Sequence, residues 1–552
     1  MHASVVERLG RLAPDQRAAA TAPPGPVLCV APAGSGKTTT LVARVAWLVD
    51  GGTAPGAITV VAFNKRAAEE LEARIGQALE PLGLARDGVR PPIRVRTFHA
   101  LGREILAEAG VAVDPLVDRD ELLRDLFPAA TAADRGRLDL AFSRLKLDLR
   151  VTADDVSADP APGPVASAFL AYERAVRESG GVDFDDLVVR ALGLLRDDER
   201  WLARWRARCA ELLVDEAQDL DRTQLELALL LAAPGNRIFL VGDDDQTIYG
   251  WRLADVRRVL GLAASLPGLR RVDLEVNYRC PPPVVQRAVR LVERNEERFA
   301  KRIAAGPRNA GRLVLAPDPS DELPRITRAI GTWPADDSTR AVLARTNREL
   351  LPAVIAAVEA GIPFRAPDLQ LPIEDPRLDA LVERAAALET GASSPVAGPL
   401  PVIGRLRTEL RAAELATPPE NPAEPAESDL ATSMLGWAAG LPSIDALREA
   451  IGERRAQLSA LRTDDGTFTL ATAHGTKGLE WDHVVVLADG FPGRRSIADA
   501  TEPERALEEE RRLAYVAWTR ARRSLTLLYD PAAPSPFLLE AFGADELGLE
   551  RS

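Results

Sequence analysis

APAGSGKTTT occupies positions 31–40 of this 552-residue chain. A Gly-rich turn that ends in Lys-Thr lets backbone N–H groups approach phosphate oxygens, and the helix that follows adds its positive dipole end. Gly34 and Gly36 permit the close approach, with Ala33 and Ser35 between and beside them. Lys37 would reach the β- and γ-phosphates, the Thr38 hydroxyl would ligate Mg2+, and Thr39 follows on the same turn. Ala31 stands where the first glycine of such loops usually stands. LLVDEAQD at 212–219 carries an apolar run into acidic residues. Asp215 suits Mg2+, and Glu216 suits activation of an attacking water. A lone Asp-Glu pair is most often solvated surface. After a buried strand and a phosphate loop, the two carboxylates point instead to hydrolysis of ATP with Mg2+.

Residues with these roles need a rigid sheet behind them. Short β-rich runs alternate with helical stretches, the pattern of parallel α/β sheets. Strands are expected at 27–31, 58–63, 93–98, 211–215 and 237–243, and again at 341–346, 468–474, 484–489 and 524–530. The fold class is therefore α/β, with parallel sheet flanked by helices; the phosphate loop with DEAQD resembles superfamily 1 helicases, and that resemblance implies two RecA-like phosphate-loop lobes. Each lobe receives an inserted, mostly helical subdomain. Lobe 1A is expected over 1–104 and 182–277, interrupted by helical 1B at 105–181. Lobe 2A is expected over 278–365 and 467–552, interrupted by a reduced 2B-like segment at 366–466. Within that segment TPPENPAEPAESD at 417–429 reads as a flexible linker.

DEAQD together with the phosphate loop resembles superfamily 1 DNA helicases of the UvrD/Rep/PcrA type, and further motifs follow in that family's order. LAPDQ at 12–16 resembles the adenine-reading motif, with Gln16 as reader. VGDDDQTIYGWR at 241–252 resembles the third motif, where Gln246 senses the γ-phosphate. In LEVNYRC at 274–280 the resemblance has Tyr278 stack on adenine and Arg279 touch the γ-phosphate. TAHGTKGLEW at 472–481 resembles the fifth motif, with Glu480 on the ATP side. EEERRLAYVAWTRA at 508–521 resembles the sixth, with Arg520 as arginine finger. Positive charge on the γ-phosphate oxygens is what phosphoryl transfer needs, and such a finger is worth about 10³ or more in rate. If Arg279 and Arg520 come from the second lobe, hydrolysis requires the lobes to close, which couples chemistry to motion.

A single-strand groove needs aromatic faces and phosphate donors. The resemblance places Phe63, Thr97, Phe98, His99, Tyr249, Trp251, Arg252, His474 and Lys477 on the DNA, with Trp251 the best stacking platform. Any one of these aromatics alone is more often core. DFDDL at 183–187 also matches a family motif, although as sequence it could be any acidic helix start. Lysine occurs only at 37, 65, 146, 301 and 477, so Lys37 and Lys477 hint at required point charges. The net charge of −13 argues against a nucleic-acid partner, but a motor needs only a local basic track.

Cys29, Cys209 and Cys280 lack metal-ligand spacing, and no structural zinc is expected. No signal segment or spanning run is read, so a cytoplasmic protein without membrane contact is expected. Two departures from the family stand out. The 2B region is short, and after the sixth motif SLTLLYD runs through PAAPSP into FLLEAF, leaving few residues for a strand-separating pin. A fused nuclease domain is not expected either. The reading is an ATP-dependent 3′→5′ helicase and single-stranded DNA translocase acting on single strands and single/double-strand junctions, in DNA repair or replication maintenance. The rivals are a translocase that needs a protein partner to unwind, and a non-catalytic nucleotide-gated DNA adaptor.

Overall fold

The computed structural model describes residues 1–84, 93–128, 130, 132–147, 163–307, 310–390, 398–416, 426–498 and 500–548. The first sheet contains β1 (Val27–Val30), β2 (Ile58–Ala62), β3 (Arg94–Thr97), β4 (Glu211–Val214), β5 (Ile238–Gly242) and β6 (Arg270–Asp273). Their order is β3-β2-β4-β5-β1-β6, with parallel pairing throughout. Alternate side chains of β1 enter opposite cores, as the two-residue period of a strand demands. Val27 and Cys29 pack with Leu41, Val45 and Ile75, whereas Leu28 and Val30 pack with Leu101, Leu192 and Leu227. A strand covered on both faces reads as an unbroken apolar run. Edge strand β6, RRVD, is partly exposed and gave no such run.

A small parallel pair, β7 (Val276–Asn277) with β8 (Ala304–Ala305), lies outside both large sheets. The second sheet contains β9 (Arg312–Pro317), β10 (Arg340–Ala344), β11 (Phe364–Arg365), β12 (Phe468–Thr472), β13 (Trp481–Leu487) and β14 (Ala521–Tyr529). Its order is β11-β12-β10-β13-β14-β9, again parallel. Its two faces are covered by separate cores, one around Val284, Leu343, Val486 and Leu513, the other around Ile326, Val342, Phe468 and Val485.

Both inserted segments have cores of their own. Helices Arg119–Leu126, Ala132–Leu147 and Pro164–Glu178 enclose Leu123, Phe142, Phe169 and Tyr172. Helices Arg377–Thr390, Pro399–Ala416, Glu427–Ala438 and Ile444–Leu461 enclose Leu381, Ile403, Leu406, Met434 and Leu447. The described part of the 366–466 segment is thus a helical bundle. Of the run read as a linker, 417–425 lie outside the described residues, and Glu427 opens a helix.

DFDDL anchors the first insertion. Buried Asp183 accepts from Lys146 Nζ at 2.8 Å, Arg119 Nη2 at 2.6 Å and the Tyr172 hydroxyl at 2.7 Å. Burial alone would raise its carboxyl, but Lys146 and Arg119 hold it well below the ordinary range. After β14 the chain makes a turn over 530–535 and enters helix Pro536–Ala541. Every strand pairing among the described residues is parallel, so they contain no β-hairpin. None of their helices is long and apolar enough to cross a membrane.

Candidate nucleotide and DNA site

β1, β5 and β4 are neighbours, so the loops leaving their C-terminal ends converge, which is where parallel sheets bind ligands. Those loops carry 31–36, 243–246 and 215–216. Gly34 and Gly36 have φ of 68° and 86°, a region that strains residues with a Cβ. Space requires glycine as well: a Cβ on Gly34 would sit 2.7 Å from Asn277 Oδ1, and one on Gly36 2.6 Å from Gln16 Nε2. Gln16 closes onto this loop. Its Nε2 donates to the Ser35 carbonyl at 2.7 Å and its Oε1 accepts the Ala13 N–H at 3.1 Å.

Glu216 sits at φ 51°, a left-handed conformation that costs an ordinary residue about 1–3 kcal/mol and clusters at functional sites. Its carboxylate accepts from Gln218 Nε2 at 2.6 Å and faces Lys37 Nζ at 4.0 Å and Lys477 Nζ at 3.7 Å. Burial would raise its carboxyl, but the two ammonium groups prevail and hold it down to about 2. The neighbouring Asp215 goes the other way: burial, then the Glu216 charge, push it up to about 7. Asp215 Oδ1 is buried with no hydrogen-bond partner, and Thr38 lines the same cavity. A carboxylate oxygen and a hydroxyl beside a phosphate loop are the donors that Mg2+ prefers, so this pair fits that ion.

The cavity, of ≈ 1120 Å³, is walled by both lobes. Gln246 Nε2 donates to Asp243 Oδ2 at 2.7 Å, and its Oε1 accepts from Arg520 Nη2 of the second lobe at 3.0 Å. Arg520 is buried and further fixed by the Val516 and Leu479 carbonyls at 2.8 and 3.2 Å. Burial, then Arg279, lower its guanidinium to about 10, so it remains cationic at neutral pH. Arg279 donates to Glu480 at 2.5 Å and to the Thr519 carbonyl at 3.2 Å. The half-exposed Tyr278 borders the cavity, its N–H donating to the Gly34 carbonyl at 2.8 Å.

Beside the cavity, the Phe63 and Tyr249 rings stack at 5.1 Å, and Trp251 meets Tyr249 edge-on at 6.3 Å. Trp251 is 52% exposed, with the Arg252 guanidinium 4.5 Å from its ring centre. His99 stacks on Phe184 at 3.9 Å. Burial lowers the imidazoles of His99 and His474 to about 4, so both are neutral at physiological pH. Three residues expected on DNA make contacts within the protein. Phe98 is core, because it points into the cluster around Leu101 and Ile105. Thr97 caps its helix, accepting the Ala100 N–H at 3.2 Å. Lys477 is turned inward onto Asp219 and Glu216, where burial alone would lower its ammonium but the two carboxylates raise it. It also lies 5.3 Å from the Tyr249 ring centre and 5.8 Å from that of Phe63.

Residues 12–267 match the UvrD/REP helicase N-terminal domain, and 445–531 match the UvrD-like helicase C-terminal domain. ATP-dependent DNA helicase UvrD2 of Mycobacterium tuberculosis (strain ATCC 25618 / H37Rv) is 32% identical over 93% of this chain and 77% of its own length. The chain belongs to the UvrD/Rep helicase family. DNA helicase II of Escherichia coli (strain K12) is 29% identical over 93% of this chain and 84% of its own. ATP-dependent DNA helicase Rep of the same strain is 33% identical over 53% and 45% respectively. The first UvrD-type domain match contains Lys37, Glu216 and Gln246; the second contains Lys477 and Arg520. Tyr278 and Arg279 lie between the two matches, yet the structure brings both to the same cavity.

Sequence reasoning passed over Phe184 in this UvrD-type chain. It is 54% exposed and stacked on His99, in the motif that also pins the first insertion. A large aromatic between the aspartates of DFDDL, whose charges are turned inward, was the available signal. Stacking on an aromatic is worth about 1–3 kcal/mol per base. Trp251→Ala is therefore expected to weaken binding of a labelled oligothymidine by about tenfold, and to shift nucleotide affinity less. Fluorescence anisotropy measures both, and unchanged DNA affinity would remove Trp251 from the track.

Proposed function

We propose that the protein is an ATP-dependent DNA helicase whose two lobes close on ATP and reopen after hydrolysis, advancing along a single strand. The observation that carries this reading is the bond from Arg520 of the second lobe to Gln246 of the first, across the ATP cavity. Charge stabilisation at the γ-phosphate is complete only with the lobes together, so hydrolysis gates their motion.

Lys37 and the loop N–H groups hold the phosphates. Thr38 and Asp215 would hold Mg2+, which supplies further positive charge to the phosphate oxygens. Glu216, ionised, orients the attacking water and takes its proton. When ATP draws Lys37 to its phosphates, one of the two cations that depress Glu216 is diverted, and its basicity rises toward what a general base needs. Arg520 and Arg279 meet the charge that develops on the γ-phosphate. Tyr278 stacks on adenine. Phe63, Tyr249, Trp251, Arg252 and Phe184 offer faces and charge to the strand. Movement 3′→5′ and entry at single/double-strand junctions rest on the family resemblance.

A translocase that relies on a partner for strand separation is the second reading. The wholly parallel pairing among the described residues and the turn at 530–535 favour it. ATP hydrolysis with and without single-stranded DNA, run beside unwinding of a 3′-tailed duplex, tests both. Stimulation with unwinding establishes the helicase. Stimulation without unwinding leaves the translocase, and no stimulation overturns the motor.

A further inference from the structure

The Pro503–Trp518 helix and the residues that follow it meet the 246–255 segment of the first lobe at three places. Arg505 Nη2 donates to Asp255 Oδ1 at 3.0 Å. Glu509 Oε1 accepts the Gly250 N–H at 2.9 Å. Just beyond the helix, Arg520 Nη2 reaches Gln246 Oε1 at 3.0 Å. The middle contact is the closest fit. A Cβ on Gly250 would collide with Glu509 Oε2, so the carboxylate fills the space a side chain would take. Gly250 opens the Gly250–Arg252 turn, which displays Trp251, and Tyr249 immediately precedes it.

The neighbouring carboxylates of the helix serve other contacts. Glu508 accepts the Glu296 N–H at 2.7 Å, and Glu510 accepts from the Gly493 N–H at 2.8 Å and from Arg345 Nε at 2.9 Å, all in the second lobe. Glu509 instead crosses to the first lobe, at the backbone of the turn that carries the aromatic platform. Burial raises its carboxyl and the Gly250 N–H opposes that rise.

We infer that Glu509 is a positioning residue that couples strand stacking on the Tyr249–Trp251 turn to the seating of Arg520 in the ATP cavity. The inference rests on the ATP-driven DNA motor reading. A charge-assisted bond to a backbone amide is among the stronger single contacts a protein makes. When a strand displaces the turn, the Gly250 amide moves, and Glu509 transmits the shift to a rigid helix whose far end leads into Arg520. Binding linkage runs in both directions, so lobe closure on ATP tightens the turn in return.

Steady-state ATP hydrolysis by the full chain, with and without oligothymidine, tests this. Glu509→Ala is expected to cut the ratio of stimulated to unstimulated rate by about tenfold, the worth of one charge-assisted hydrogen bond, with the unstimulated rate changing less than about twofold. Glu509→Gln, which keeps an acceptor oxygen but loses the charge, lowers the ratio by only about threefold. Gly250→Ala wedges the same contact from the other side and lowers the ratio likewise, which also decides the matter if Glu509→Ala does not fold. The double variant is no worse than either single one, because both remove one contact. An unchanged ratio in Glu509→Ala, an equal fall of both rates, or additive losses would overturn the inference. A wild-type chain that DNA does not stimulate sinks the motor reading itself, a separate result seen without any variant.

Discussion

Arg520→Ala lowers DNA-stimulated ATP turnover by about 10³-fold or more, the worth of a guanidinium aimed at a transferring phosphoryl group. Nε, Nη1 and Nη2 of Arg520 each meet a separate acceptor, at Val516, Leu479 and Gln246, so the fork is held in place before substrate arrives. Preorganised charge needs no reorganisation at the moment of reaction, which is why it counts for so much. Arg520→Lys keeps the charge but cannot satisfy a three-sided fork, so it rescues little. Loss of the side chain takes the donor from the buried Gln246 Oε1 and from the part-buried Leu479 carbonyl, at about 1–3 kcal/mol, and thermal unfolding therefore accompanies the kinetic measurement. A variant within tenfold of wild-type kcat would remove Arg520 from the site.

Glu216→Gln keeps the size of the side chain and removes the proton acceptor. Turnover is expected to fall by about 10²–10⁴-fold, the range of a lost general base. Nucleotide affinity should hold or improve, because the neutral amide leaves Lys37 and Lys477 without their shared counter-charge and closer to serving phosphate. Single-turnover hydrolysis and equilibrium binding of ATP separate the two effects. Weakened binding together with near-normal turnover would contradict the role.

The sequence pattern located the phosphate loop and DEAQD because their chemistry is local: the residues that act are adjacent in the chain and sit at the ends of apolar strands. Arg279 and Arg520 needed the order of family motifs, since their placement depends on how two sheets meet. The buried orientation of Lys477 was illegible, because the choice between a phosphate and a carboxylate partner is settled by tertiary packing. Phe98 stands in a motif that resembles a DNA-contacting one, yet it packs into the core, which is the common fate of a phenylalanine at the start of a helix that packs on a sheet. Strands β6 and β11 escaped notice because β6 opens on two arginines at a sheet edge and β11 is only two residues long, whereas β9 carries an unbroken apolar LVLA run and was simply passed over. Glu509 was hidden among three consecutive glutamates, and only the contacts of each carboxylate tell them apart.

The position of β14 matters to the chain while it is being made. β14 stands between β13 and β9, and edge strand β9 has β14 as its sheet neighbour. A ribosome releases 312–317 long before 521–529, a delay on the order of 10–40 s at about 5–20 residues per second. Through that interval β9 awaits its partner, and an unpaired strand edge invites association with other chains. The first sheet is complete by residue 273, with its phosphate loop in place. A nascent chain therefore passes through a stage at which the phosphate loop is in place but Arg520, the proposed arginine finger, has yet to be made.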